Sequence, residues 1–486
     1  MTRMLHQLTS FLPGLDWFEP QSDERLVHTF VSNDPDRLPR FFKHYGDEVP
    51  KARLARTLPQ LPAASEVLAG TARVEPRRVG LDDISALLYL SVGVTRVMRR
   101  RDGRDYPLRA AGSAGARFPL ELYLAVPNGL PGDVPAGVHW YHPLEHALVA
   151  IGPPPIGTDP ALVVTGVPWR TGWRYRERGF RHLYWDAGTA LSHLLALADA
   201  LGVKAELYST FPDAAVGRLV GCDGVFEFPV AVLGLGTQPA LTASGAALPG
   251  ELDDDGIAFP IVTAAQLAGD TDQLGPQLPR GPIVAPIDNA VPLNELLLAR
   301  SSHRRLNPTR GLPRDVLDEL MRSALRGVDV PHYIAVNNVA DVTPGTYRWP
   351  DLDTPLRTGN LRAELYWASA QQGLARDAAF VTIAAVDGVG LSDRGYRDAQ
   401  LQAGLVLGRL HILAPAVGAG ANGMTFEDTL IPALLGDDDV KDLLCLLWTC
   451  IGVPEYRPKP GGLPSAPTTI TMIDPRIDDG PLPPSP

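Results

Sequence analysis

The chain has 486 residues, enough for two or three domains at roughly 100–200 residues each. Its hydrophobic fraction of 45% and charged fraction of 20% exclude a mainly disordered protein. A net charge of −11 weighs against nucleic acid or an anionic membrane surface as partner.

The chain opens on MTRMLHQLTSFLPGLDWFEP, which has neither a sustained apolar run nor a small-residue cleavage site. We read no signal peptide there, and we expect a cytoplasmic protein. The first ~60 residues carry no assignable motif. PRRVGLDDISALL (76–88) then resembles GLPRDVLDELM (311–321). The alternating and apolar runs at 120–126 (LELYLAV), 137–142 (GVHWYH) and 226–236 (FEFPVAVLGLG) predict strands. Between them, 178–202 reads as a long helix, with Leu191, Leu194, Leu195, Ala198 and Leu201 on one stripe and Gly202 as its C-cap.

Residues 241–290 are rich in Pro, Gly, Ala and Asp and read as an interdomain linker. Strands are predicted again at 332–339, 345–349, 378–386 and 445–453, and a second long helix at 394–418. The tail 475–486, PRIDDGPLPPSP, reads as disordered. The domains are therefore expected at 1–240 and 291–474.

The two helices are copies. RGFRHLYWDAGTALSHLLALADALG (178–202) and RGYRDAQLQAGLVLGRLHILAPAVG (394–418) are identical at 11 of 25 positions without a gap. Phe211 and Asp213 recur as Phe426 and Asp428, and LVGCD (219–223) as LLGDD (434–438). A period this long means duplicated domains, not a solenoid. Gly188 and Gly404 interrupt the helices, where glycine is costly, and predict a close approach by a neighbouring helix. Each half mixes helices and strands without clean βαβ alternation, which predicts an α+β fold.

Five motifs have chemical potential. Arg300-Ser301-Ser302-His303-Arg304 offers guanidinium forks and hydroxyls suited to a phosphate. Ser113-Ala114-Gly115-Ala116-Arg117 is small enough to let backbone approach a flat ligand. Gly418-Ala419-Gly420-Ala-Asn-Gly423 fits GxGxxG but follows a helix. The dinucleotide fingerprint is thereby excluded, and a Gly-rich loop at a helix end remains able to pack on a ring system. Arg174-Tyr175 pairs a cation with a phenol whose pKa it could lower. The basic end at Arg457 and Lys459 can complete an anion site. His139, His142 and His146 lack accompanying carboxylates or thiols, so no metal is expected. The three cysteines, Cys222, Cys445 and Cys450, read as reduced buried thiols.

In this order the motifs resemble the nitroreductase fold, and more narrowly the SagB-like dehydrogenases of azole-modified peptide biosynthesis. The likeness covers most of residues 65–236 and 290–460. It implies tandem nitroreductase-like domains, each a mainly antiparallel sheet wrapped by helices, forming an intramolecular pseudo-dimer. It implies FMN, oxidation of thiazoline or oxazoline rings in a ribosomally made peptide, and association with a cyclodehydratase. The alternatives are a flavin oxidoreductase using NAD(P)H on another small substrate, and a flavin-free scaffold that binds peptide.

The second half keeps Arg300, Ser301, Ser302, Arg304 and Lys459, whereas its counterpart, Leu68-Ala-Gly-Thr-Ala-Arg73, retains one arginine. The first half alone keeps Ser113, Ala114, Gly115 and Arg117. Given the family geometry, these complementary halves imply one composite FMN site per chain, with Gly418, Ala419 and Gly420 also against the cofactor. A family Lys-Tyr pair implicated in catalysis matches Arg174-Tyr175, with arginine in place of lysine.

Overall fold

The computed structural model describes residues 1–14, 22–100 and 102–474. The predicted disordered tail lies outside the described residues.

In the first half, α1 (Thr2–Leu8) and β1 (Lys51–Arg53) precede α2 (Ala64–Ala69) and α3 (Leu81–Val92). Then come β2 (Val94–Arg99), β3 (Asp105–Arg109), β4 (Leu120–Val126), β5 (Gly137–His142), β6 (Ala147–Gly152) and β7 (Ala161–Gly166). Helices α4 (Pro168–Tyr175) and α5 (Gly179–Leu201), β8 (Glu206–Tyr208), α6 (Asp213–Val220) and β9 (Phe228–Gly234) complete it. The second half runs α7 (Pro260–Ala268), α8 (Leu293–Ala299), α9 (Arg314–Ala324), β10 (His332–Val336), β11 (Gly345–Arg348) and β12 (Arg357–Thr358). It continues through α10 (Arg362–Ala368), α11 (Gly373–Asp377), β13 (Phe380–Asp387), α12 (Asp393–Leu413), β14 (Gly420–Met424), α13 (Ile431–Leu435), β15 (Leu443–Gly452) and β16 (Thr468–Thr471).

Each half builds an antiparallel sheet, in the orders β1-β6-β5-β4-β7-β9-β8 and β12-β11-β10-β13-β15-β14. Five neighbouring strands correspond: β5-β4-β7-β9-β8 repeats as β11-β10-β13-β15-β14. Both faces of each sheet are covered, so β4 is buried along its whole length. Successive side chains still alternate between faces. Leu120, Leu122, Leu124 and Val126 enter the central core, and Tyr123 and Ala125 an outer one. β10 does the same, with Ile334 and Val336 inward and Tyr333 and Ala335 outward.

The two long helices, α5 and α12, cross at the centre of the molecule. A Cβ on Gly188 would lie 2.2 Å from the Leu401 carbonyl oxygen, and one on Gly404 would lie 2.4 Å from that of Trp185. The neighbouring helix expected from the two glycines is thus the other copy. Gly202 ends α5 in the left-handed conformation (φ 71°). Gly418 closes a 3-10 turn, Ala414–Val417, that prolongs α12.

The other repeated residues join the halves. Arg178 and Arg181 of the first half each reach Asp428 of the second at 2.6 Å. Arg397 of the second half reaches Asp213 of the first at 2.7 Å, and Arg394 pairs with the same carboxylate. Each duplicated Arg-Gly-x-Arg therefore binds the aspartate of the opposite copy. Backbone of α1 and α7 completes the clusters in the same way. Thr9 O accepts from Arg178 and His6 O from Arg181, while Phe11 N donates to Asp428. Gly269 O accepts from Arg394 and Gln266 O from Arg397, while Thr271 N donates to Asp213.

The three residue pairs lie at one constant spacing. The stretch read as a linker thus carries an ordered helix, with Phe259, Ile261, Val262 and Ala265 buried. We propose that the second copy begins at Pro260, ahead of residue 291.

A third sheet, β16-β2-β3, also crosses between the halves. The C-terminal β16 lies parallel to β2, with Thr468 opposite Arg96. It walls one side of the site described next.

Candidate functional site

A cavity of about 1050 Å³ lies between the halves. The first half contributes β2, β3, the loop Ala111–Phe118, the end of α4 and one face of α5. The second contributes the loop after α8, the end of α12, residues 422–425, the segment 456–459 and the strap around β16. Although the chain is acidic, nine arginine or lysine side chains line this cavity against two carboxylates, Asp186 and Asp377.

Most of the sequence-predicted residues meet here: Ser113, Ala114, Gly115, Arg117, Arg174 and Tyr175 from the first half, and Arg300, Ser301, Ser302, Arg304 and Lys459 from the second. Gly418, Ala419 and Gly420 do not line it. Residues Gly420–Met424 form edge strand β14, whose backbone pairs with β15 rather than forming an open loop. Gly420 packs on His303, and the cavity is reached only by the later residues Asn422, Gly423, Met424 and Thr425.

At one end sit two buried guanidinium groups without an acidic partner among the described residues. Arg300 Nε donates to Ala110 O at 2.7 Å, and its Nη1 has no partner. Burial, reinforced by Arg96, pushes its pKa down to about 9. Arg96 donates to the carbonyls of Lys459 (3.0 Å) and Leu298, and burial lowers it to about 10. Burying cations without a counter-charge is costly. A ligand anion would remove that cost, and Arg304, Arg457 and Lys459 line the same cavity. Gly112 keeps the approach narrow, because a Cβ there would lie 3.2 Å from both Arg300 Nη1 and the His411 ring.

The small-residue loop is anchored by a residue that sequence reasoning missed. Asp186, on α5, accepts from the Ser113 hydroxyl and from Ala114 N at 3.0 Å. Burial raises its pKa to about 7, against the opposing effect of those two bonds. The loop then turns through positive φ at Gly115 (58°), Ala116 (54°) and Phe118 (48°), a strained path for the latter two. Gly115 is required, since a Cβ would sit 2.8 Å from the Tyr175 hydroxyl.

Tyr175 stacks on His182, with ring centroids 4.1 Å apart. The expectation that a neighbouring cation lowers its pKa is corrected here. Burial raises it, and the opposing pull of Arg174 is smaller. The phenol therefore holds its proton at neutral pH. Arg174 Nη1 donates to Asn33 Oδ1 at 2.9 Å. Arg117 lies over the Trp173 ring, 4.7 Å from its centroid.

The pseudo-symmetric position is built differently. α2 and α8 meet across the pseudo-twofold, where Ala64 N bonds Val291 O and Leu293 N bonds Pro62 O. In the segment after α2, the Arg326 guanidinium packs against Gly70 and donates to Leu68 O at 2.6 Å. Arg409, aligned with His193, donates to the carbonyls of Ala324 and Arg326. Backbone at 279–281 abuts Gly327. The chain's own groups thus fill this side, and Arg73 is exposed.

No protein-family model matches the chain. A Methanocaldococcus jannaschii protein named as a nitroreductase is 25% identical over 173 residues, spanning 32% of this chain and 81% of that protein. The trifolitoxin-processing protein TfxB of Rhizobium leguminosarum is 26% identical over 173 residues, spanning 31% of this chain and 46% of TfxB. The crystal structure of an Anabaena variabilis protein described as a nitroreductase superposes with a TM-score of 0.69 at 21% identity. That match covers 93% of this chain and 99% of the other, so both halves and their mutual placement are shared. The chain has a tandem nitroreductase-like α+β fold.

Proposed function

We propose that the chain is an FMN-dependent oxidoreductase, and specifically a dehydrogenase that converts thiazoline or oxazoline rings of a modified peptide to thiazole or oxazole. One observation carries the cofactor reading. The buried Arg300 guanidinium, with an unpartnered Nη1 and no acid beside it among the described residues, packs against Gly112 of the opposite half, and both line the cavity that the loop to Gly115 borders. The donor set fits a flavin phosphate: Arg300, Arg304, Ser302, Arg457 and Lys459 would hold it, and the small-residue loop would admit the ring. When bound, FMN supplies the two-electron acceptor.

The chain's own residues supply placement and proton handling. Tyr175 presents a protonated hydroxyl at the loop. The Arg174 guanidinium lies over the Tyr175 ring and favours negative charge that develops on its oxygen. Asp186 holds the loop in register through Ser113 and Ala114. The peptide substrate is supported by the likeness to TfxB, whose name assigns it to processing of trifolitoxin, and such a chemistry would operate beside a cyclodehydratase.

The test is incubation of the purified, FMN-saturated protein with an azoline-containing peptide in air, followed by mass spectrometry. Loss of two hydrogens per ring supports the reading. No loss, together with rapid flavin bleaching by NAD(P)H, would favour reduction of another small substrate.

A further inference from the structure

The cavity holds more positive charge than a cofactor phosphate needs, and that charge lies in two places. Arg300 and Arg96 occupy one end. Arg117 and Arg174 flank the other side of the strained loop, where Arg117 Nε bonds Gly115 O at 3.3 Å and Arg174 packs against Gly115. Among the described residues, neither Arg117 nor Arg174 forms an ion pair. Their contacts are neutral: Asn33 Oδ1, the Gly115 carbonyl, the Trp173 ring and the phenols of Tyr106 and Tyr175. Arg117 is 7% exposed, and Arg174 Nε is buried without a partner. Two guanidinium groups with no acid paired to them among the described residues, beside a phenol and an indole, form a cradle for a planar group bearing a carboxylate.

We propose that Arg117 and Arg174 form a second anion subsite that recognises a carboxylate on the substrate next to its ring. This rests on the azole reading above. It moves Arg117 from the cofactor to the substrate. It also gives the arginine at position 174 a purpose that lysine would serve less well, because a guanidinium grips a carboxylate with two parallel bonds. The carboxylate has two possible sources, a ring at the peptide's C-terminus or an acidic side chain beside an internal ring.

The test is a binding titration on FMN-saturated protein, followed by tryptophan fluorescence and calorimetry, with thiazole-4-carboxylate and thiazole-4-carboxamide as probes. The acid should bind at least roughly tenfold tighter, as expected when a charge-assisted pair is lost in the amide. Arg117→Gln and Arg174→Gln should each abolish that preference while FMN content stays near one per chain. Equal binding of acid and amide, or a preference that survives both substitutions, overturns the proposal. So does competition by NADPH with the same arginine dependence, which would assign the pair to a nucleotide phosphate. Peptides ending in the thiazole acid, compared with amidated peptides carrying aspartate beside the ring, separate the two sources. Benzoate distinguishes the failures: if it binds as tightly as the thiazole acid and with the same arginine dependence, the anion subsite stands and the azole reading falls.

Discussion

Arg300 is buried by a fold that gives it one carbonyl partner and leaves Nη1 without any. Arg300→Ala removes a charge-assisted contact and should weaken FMN binding by about 1.5–3 kcal/mol, roughly 10- to 150-fold, measured by fluorescence titration of the apoprotein. Unchanged affinity would move the phosphate elsewhere. Arg300 was legible because basic and hydroxyl residues clustered around it. Asp186 was not. An acid inside a mostly apolar helix shows its role only once Ser113 and Ala114 are folded against it. Its pKa of about 7 exceeds the ordinary 3.8, so between those values the folded protein binds the extra proton. Stability should therefore fall as pH rises from about 4 to about 7, by at most ~1.4 kcal/mol per pH unit from this group. Asp186→Asn should flatten that slope in thermal unfolding of the apoprotein. A variant that keeps the full slope would assign it to another group.

At the scale of elements, the helix repeat and its glycines foretold the crossing of α5 and α12, because a glycine inside a helix is kept only where a Cβ cannot fit. The partnership of α1 with α7 was illegible for an equally physical reason. The shared contacts of Thr9 and Gly269, and of His6 and Gln266, run through backbone carbonyls, which any residue carries, and the side chains differ at both pairs. Gly418–Gly420 misled because glycines suggest a loop, whereas their backbone continues into strand pairing with β15. The ion clusters give a sharper test. Asp428→Asn strands Arg178 and Arg181 in the interior and should cost about 3–5 kcal/mol in urea unfolding. Asp213→Asn, facing Arg394 and Arg397, should cost a similar amount. A silent substitution at either site would show that the two clusters are related in shape but not in energetic weight.

For the whole molecule, duplication followed by unequal change accounts for the division of the motifs between the halves. The second copy holds the phosphate-type motif and the first holds the small-residue loop; both line one cavity. On the opposite side, Arg326 lies against Gly70 and Arg73 is exposed, so Arg73→Ala should leave FMN content unchanged. The duplication and the separation of the motifs were visible in the sequence, since each motif survives in one copy only. The C-terminal strap was not, because β16 pairs with β2 of the distant first half through backbone alone. The most direct test of the composite site is the visible spectrum of the purified chain after FMN reconstitution, with released flavin quantified per polypeptide. The account predicts a flavin absorbance band and one FMN per chain. Two per chain would mean the pseudo-symmetric position also binds, and none would contradict the site altogether.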